Sequence, residues 1–200
     1  MNAKIAFALA ALALGGISSA EEKTSGILPG LLVGPRLSLL ALPTPGAGLE
    51  VRGPGPFGAS LDLGYIPMVS VGGHGNAKIG FTNVSGAGRI YPFSRSFFLG
   101  AAVGSRSFRA KARDDATGAE ARASVASVYL APELGWRWIW GSGFFMGVDL
   151  GWQFVLSHKA TFDFPATAKP KDVTDVQHAA DRVGKAGLPV LGLLQLGWFF

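Results

Sequence analysis

The chain has 200 residues, a formal net charge of +5, 16% charged and 48% hydrophobic residues, 29 glycines and no cysteine. This excludes a disulfide scaffold and a lipoprotein anchored on a leading cysteine, and the lack of a dense basic run with interleaved aromatics excludes a nucleic-acid footprint. High hydrophobicity without an apolar stretch long enough for a spanning helix instead suits strands that give half of their side chains to lipid.

At the N-terminus, Lys4 supplies a positive region, Ile5 to Leu14 an apolar run too short to cross a bilayer comfortably, and Ser18-Ser19-Ala20 a small-residue cleavage site. Residues 1–20 therefore read as a signal peptide and 21–200 as one barrel domain. The remaining length, about 180 residues, holds eight tilted strands of about 9 to 11 residues with their turns.

Those strands are predicted at 31–42, 46–53, 57–68, 78–91, 97–110, 123–139, 143–157 and 187–200, each bounded by Gly, Pro, Asn or Ser. The first three carry Arg36, Glu50, Arg52 and Asp62 on one parity. The fourth carries Arg89 on that parity and Gly80, Thr82, Gly86 and Gly88 on the other, so a glycine-rich contact patch or a bulge is expected there. The fifth and sixth add Arg106, Glu133 and Arg137. The seventh alternates most regularly, with Phe144, Met146, Val148, Leu150, Trp152 and Phe154 opposed to Gly147, Asp149, Gly151 and Gln153. The eighth sets Leu188, Val190, Leu194, Leu196, Trp198 and Phe200 against Gln195 and Gly197. Such period-2 alternation marks strands whose two faces meet different environments, here lipid and a polar interior.

The fold expected is all-β: an eight-stranded antiparallel up-and-down transmembrane β-barrel. Five cations and four anions fall on inward positions: Arg36, Glu50, Arg52, Asp62, Arg89, Arg106, Glu133, Arg137 and Asp149. A charge on the lipid face costs about 2–4 kcal/mol for Arg or Lys near the midplane, which fixes the phase. A lumen this narrow is filled by side chains, so these charges are expected to pair in a hydrogen-bonded column rather than line a conducting pore.

An even strand count puts both chain ends on the periplasmic side, with short turns at 54–56, 92–96 and 140–142. The outer connections are 43–45, 69–76, 111–122 and a long loop over 159–185. Aromatic residues Phe57, Tyr91, Phe93, Phe97, Trp138, Trp140, Phe144, Trp198 and Phe200 collect beside the short turns as an interfacial girdle. In the long loop, Asp172 is placed to cap a short helix whose Val173, Val176, Ala180 and Val183 share a face and which Gly184 ends. Phe162 and Phe164 extend strand seven above the membrane. Lys78, Arg109 and Lys111 sit on lipid-facing parity near outer strand ends, where they suit contact with lipopolysaccharide phosphates.

The signal peptide, the alternating strands and the ending Leu194-Gln195-Leu196-Gly197-Trp198-Phe199-Phe200 resemble the small eight-stranded outer-membrane barrels of the OmpA/OmpX type, over nearly all of the mature sequence. The resemblance implies that Leu194, Leu196, Trp198 and Phe200 form a signal read by the barrel-assembly machinery. It implies residence in the bacterial outer membrane, as a monomer in contact with lipid and lipopolysaccharide, but no single function.

Two other function classes are weighed against a noncatalytic structural or surface-interaction barrel. A rim enzyme acting on lipid A or peptides would draw on His74, His158, His178, Ser157, Asp114, Asp115 and Asp175. Adjacent Ser157 and His158 point to opposite faces of a strand, and the His and Ser two apart that lipid A deacylase barrels carry are missing. No metal site or cofactor is indicated, since three scattered histidines lack ligand spacing. A soluble periplasmic lipocalin-like binder is the third class, because alternation alone does not separate a core face from a lipid face.

Overall fold

A computed structural model describes residues 30–71, 77–92, 96–113, 118–165 and 170–200. The predicted signal peptide therefore lies outside the described residues, as do Phe93, His74, Asp114 and Asp115. Nine strand segments follow one another: β1 (Leu32–Leu42), β2 (Gly46–Arg52), β3 (Phe57–Val71), β4 (Ala77–Ile90), β5 (Phe97–Arg113), β6 (Glu120–Ile139), β7 (Phe144–Trp152), β8 (Phe154–Asp163) and β9 (Pro189–Trp198). Only Gln153 separates β7 from β8, and both pair with β6, so the nine segments form eight staves. Sequence neighbours pair antiparallel and β9 returns to β1, which closes the sheet into a barrel. A closed sheet leaves no edge in the spanning zone, the condition for strands to cross hydrocarbon.

Polarity is inverted relative to a soluble protein. Leu61, Leu99, Val103, Phe154, Leu156 and Phe200 are each about half exposed or more, while Arg36, Glu50, Arg89, Arg137 and Asp149 are buried. The outer apolar surface is continuous round the barrel, far beyond the few hundred Å² that soluble monomers expose. It is framed by rings. Phe97 and Trp136 lie 5.2 Å apart, Trp140 and Phe144 5.3 Å, and Phe144 and Trp198 5.9 Å, all beside the short turns. At the other edge stand Tyr65 and Trp152. From Phe57 to Tyr65, or from Phe144 to Trp152, a strand rises about 27 Å, or about 20 Å along the barrel axis at a tilt of about 40°. That matches the apolar band of a membrane barrel. The chain thus folds as an eight-stranded barrel of the outer-membrane kind.

Local departures from regular alternation have identifiable causes. In β9, Gln195 pairs with Gly147 but Gly192 pairs with Asp149, so Leu193 and Leu194 together oppose Val148. This bulge reverses the phase above it. Val190, expected on the lipid face, packs inside against the cluster Ala87, Ala102, Tyr129 and Ala131, and Leu193 is exposed instead. The bulge expected in strand four lies in its partner: Ile66 and Val69 of β3 pair with Phe81 and Ile79, so Pro67 and Met68 together oppose Gly80. β4 itself pairs with β5 without interruption. Tyr91, expected in the girdle, is 5% exposed and faces the lumen, because it shares the parity of Arg89.

The staves are uneven above the membrane band. β2 has 7 residues and β9 10, whereas β5 has 17 and β6 20. The wall is low at β9, β1 and β2 and tall from β3 to β6 and β8. A helix, α1 (Pro170–Lys185), packs on β8 and β6 behind that low side. It starts two residues before the expected cap at Asp172, whose side chain lies outside the described residues. Val176 and Val183 do not make its contact: both are exposed, whereas Ala180 is buried. Phe162 and Phe164 stack at 5.7 Å where β8 ends.

Candidate functional site

The lumen is built from inward residues of every stave. Gly147 lies opposite Arg137 in the β6–β7 ladder, and a Cβ there would collide with the Arg137 guanidinium. The missing side chain lets Arg137 turn inward and grip Asp149 with two parallel bonds, Nη1 to Oδ1 at 2.5 Å and Nη2 to Oδ2 at 3.1 Å. Its Nε donates to Glu50 Oε2 at 3.2 Å. From β1, Arg36 donates to Glu50 at 3.0 Å, to Gln195 Oε1 at 3.1 Å and to Asp62. Gln195 donates in turn to Asp149 at 2.5 Å. Planar guanidinium forks meeting carboxylates in a water-poor interior make the stronger class of hydrogen bond.

Arg89 is held more loosely, with Glu50 at 3.4 Å, Asp149 at 3.6 Å and Glu133 at 3.7 Å. Its guanidinium lies 4.9 Å from the Phe98 ring centroid, and that of Arg137 lies 5.1 Å away. Arg52 covers the Tyr91 ring at 4.0 Å. Beneath the charges, Phe98 and Phe145 are fully buried, and Phe145 stacks on Phe199 at 4.6 Å. Phe98, Phe145 and Phe199 plug the end beside the short turns. Their inward rings were not singled out by the sequence; the signal was the inward glycines that face them, Gly135 against Phe98 and Gly197 against Phe145.

All nine predicted lumen charges face inward, but they do not form a single column. Eight gather in the lower and middle barrel, while Arg106 stands apart under α1. It donates to Gln153 Oε1 at 2.7 Å and to the Ala186 carbonyl. Ser127 Oγ donates to the Gly184 carbonyl at 3.1 Å. A lumen arginine and a lumen serine thus satisfy carbonyls left open at the end of the helix. Gly184 approaches so closely that a Cβ would touch the His158 ring. His158 Nε2 is 2.7 Å from Asp181 Oδ1, and Lys185 Nζ donates to Asp181 Oδ2 at 2.7 Å. These bonds, that of Lys185 before that of His158, hold the Asp181 carboxyl below the ordinary carboxylate range.

The same geometry bears on nucleophilic chemistry. His158 pairs with inward Ser127, and Ser157 pairs with outward Val128, so Ser157 and His158 do face opposite ways. Ser127 beside His158 and Asp181 supplies the residue types of a hydrolytic triad. Its hydroxyl, however, is committed to Gly184, and it is buried. Asp175 and His178 are exposed on α1. Among the described residues, no group of three or more His, Cys, Asp or Glu is arranged to hold a metal ion.

Outside, above the apolar band, Lys78, Arg109 and Lys111 all face away from the lumen. The pairing sets Lys78 beside Lys111 and Lys111 beside Arg122, a row of like charges across three staves. Glu120 bridges Lys111 at 2.8 Å and Arg122 at 2.5 Å.

A cavity of about 80 Å³ lies beside the charge cluster. Its wall includes Asp62, Glu133 and Asp149, Tyr129, Gln153 and Val190, and reaches the outer turn at Pro43 and Thr44.

No family model matches the sequence, and no curated protein does. Solved structures with a similar course include Acinetobacter baumannii CarO (11% identity, TM-score 0.46, covering 84% of this chain and 96% of that one). Acinetobacter baumannii CarO2 is similar at 10% identity and TM-score 0.47, with 84% and 98% covered. A major outer membrane protein from Thermus thermophilus is similar at 14% identity and TM-score 0.44, with 85% and 98% covered.

Proposed function

We propose that this chain is a noncatalytic outer-membrane β-barrel with a structural or surface-interaction role and a closed polar lumen. The observation that carries the reading is the pairing of an exposed apolar belt with a charge-filled, ring-plugged interior. Water-soluble binders of lipocalin type need the reverse: a polar outside and an open apolar cup. A solute path would have to break the bidentate Arg137–Asp149 pair and displace Phe145 and Phe199, leaving buried charges unpaired.

In this reading the outward cations Lys78, Arg109 and Lys111 contact lipopolysaccharide phosphates just above the belt, where like charges placed side by side are eased by an anion. Leu194, Leu196, Trp198 and Phe200 act as the signal for the assembly machinery. Full-length protein made in a Gram-negative host is expected in the membrane fraction, with gel mobility that changes on boiling. Reconstituted in planar bilayers it is expected to show no steady unitary conductance, and His158→Ala to leave lipid A composition and peptide cleavage unchanged. Recovery in the soluble periplasm, or stable open channels, would overturn the proposal.

A further inference from the structure

We infer that the outer rim holds one phosphorylated glycolipid head group at Lys78 and Arg109, and that Glu120 competes with a second phosphate for the neighbouring Lys111 and Arg122. This rests on the outer-membrane reading above and names the partner and the control of the same rim. The four cations are not equivalent. Glu120 bonds to Lys111 at 2.8 Å and to Arg122 at 2.5 Å, and Asp163 stands opposite Arg122 in the β6–β8 ladder. The acids of this outer face among the described residues therefore lie at its β6–β8 end. Lys78 and Arg109, at the β4–β5 end, have no carboxylate partner among the described residues. Lys78 pairs with Lys111 and Gly80 with Arg109, so Lys78 and Arg109 lie on a diagonal, about 7–8 Å apart along the backbone. The corner between them has no side chain of its own. Met68, turned outward by the β3 bulge, covers it: a Cβ on Gly80 would lie 2.8 Å from the Met68 sulfur. Long Lys and Arg side chains reach past that thioether to a shared oxyanion, which also relieves the contact of like charges along the row.

Glu120 marks the second position. Its carboxylate occupies the place of an anion between two cations, an internal stand-in for a phosphate oxygen pair. Exposed ion pairs of this kind are weak, and a phosphate brings a larger charge and three acceptor oxygens, so it displaces the carboxylate where a head group presents one. The layering of the wall favours a glycolipid over a free anion. Below the cations the hydroxyls of Thr82 and Ser107 are paired across β4 and β5, and Ser124 stands opposite Arg109. Below these come Leu63, Val84 and Val103, which are 41%, 52% and 55% exposed on the apolar belt. Phosphate, sugar hydroxyls and acyl chains follow one another in the same order in a glycolipid whose chains lie along that belt. A free phosphate uses the first layer only.

The test uses full-length barrel refolded in nonionic detergent and titrated with diphosphorylated lipid A, with native mass spectrometry counting the lipid bound. Each variant is first checked for the boiling-dependent gel shift, which separates loss of the barrel from loss of the site. The wild type is expected to hold one lipid A saturably, and Lys78→Gln and Arg109→Gln each to weaken it about fivefold. Glu120→Gln is expected to tighten binding about threefold, a gain that disappears when Lys111→Gln is added. Lys171→Gln, an equal change of charge on α1, is expected to bind as the wild type does. Lipid A stripped of its phosphates is expected not to bind saturably, and inorganic phosphate in tenfold excess not to displace the lipid. Equal binding by the folded Lys78, Arg109 and Glu120 variants, saturable binding of the stripped lipid, or displacement by inorganic phosphate would overturn the inference and leave the membrane barrel standing. A wild-type chain without the gel shift would overturn the outer-membrane reading, and this inference with it.

Discussion

Arg137 shows how single residues set the interior of this barrel. It is wholly buried and makes the bidentate pair with Asp149, so removing it leaves Asp149 only the longer contacts to Arg36 at 3.7 Å and Arg89 at 3.6 Å and takes one of three cations from Glu50. Arg137→Ala is expected to destabilise the barrel by about 3–5 kcal/mol in urea unfolding, whereas Lys111→Ala, exposed at the rim, is expected to stay within about 0.5 kcal/mol. Asp181 gives a pH signature at the same scale. Its folded value lies below its unfolded one, so its tether of the helix is present above the ordinary carboxylate range and is lost as pH falls through the lowered value. Protection of α1 amides, read relative to the intrinsic exchange rate, is therefore expected to fall as pH drops below the ordinary carboxylate range, and Asp181→Asn to remove that dependence. The inward charges were legible in the sequence because lipid excludes them from the other parity. Tyr91 was not, since a ring at a strand end suits a girdle and a lumen floor equally; its shared parity with Arg89 was the available signal.

At the scale of elements, the strands were legible to within a few residues because alternation and turn signals agree, and the departures mark where long-range pairing takes over. Nothing in Leu191 to Gln195 announces that Leu193 and Leu194 will oppose one residue of β7; the bulge exists in the ladder, not in the segment. The same holds for α1. Its valine stripe was readable, but the surface it docks on is the inner wall of β6 and β8, which admits only the small residues Ala180 and Gly184. Gly184→Leu is therefore expected to undock the helix and expose residues 170–188 to limited proteolysis. The boiling-dependent gel shift of the barrel should remain. An uncut segment would mean that the helix is held by something other than this close approach.

On the scale of the whole molecule, one arrangement explains the composition, the glycines and the inverted polarity: a sheet closed on itself, hydrocarbon outside and paired charge within. Closure removes the edges, the inward glycines admit long charged and aromatic side chains, and the outer belt replaces a soluble surface. The cavity beside the charge cluster was beyond the reach of the sequence because its wall is assembled from strands far apart in the chain. The most direct test of closure and sidedness uses the absence of native cysteine, which lets single-cysteine variants carry one nitroxide each. In bilayers, labels at Leu61, Leu99 and Val103 are predicted to be relaxed strongly by oxygen and weakly by a water-soluble nickel chelate, with labels at Ser60 and Ala102 shielded from oxygen. Equal oxygen relaxation at neighbouring odd and even positions, or the reversed alternation, would contradict it.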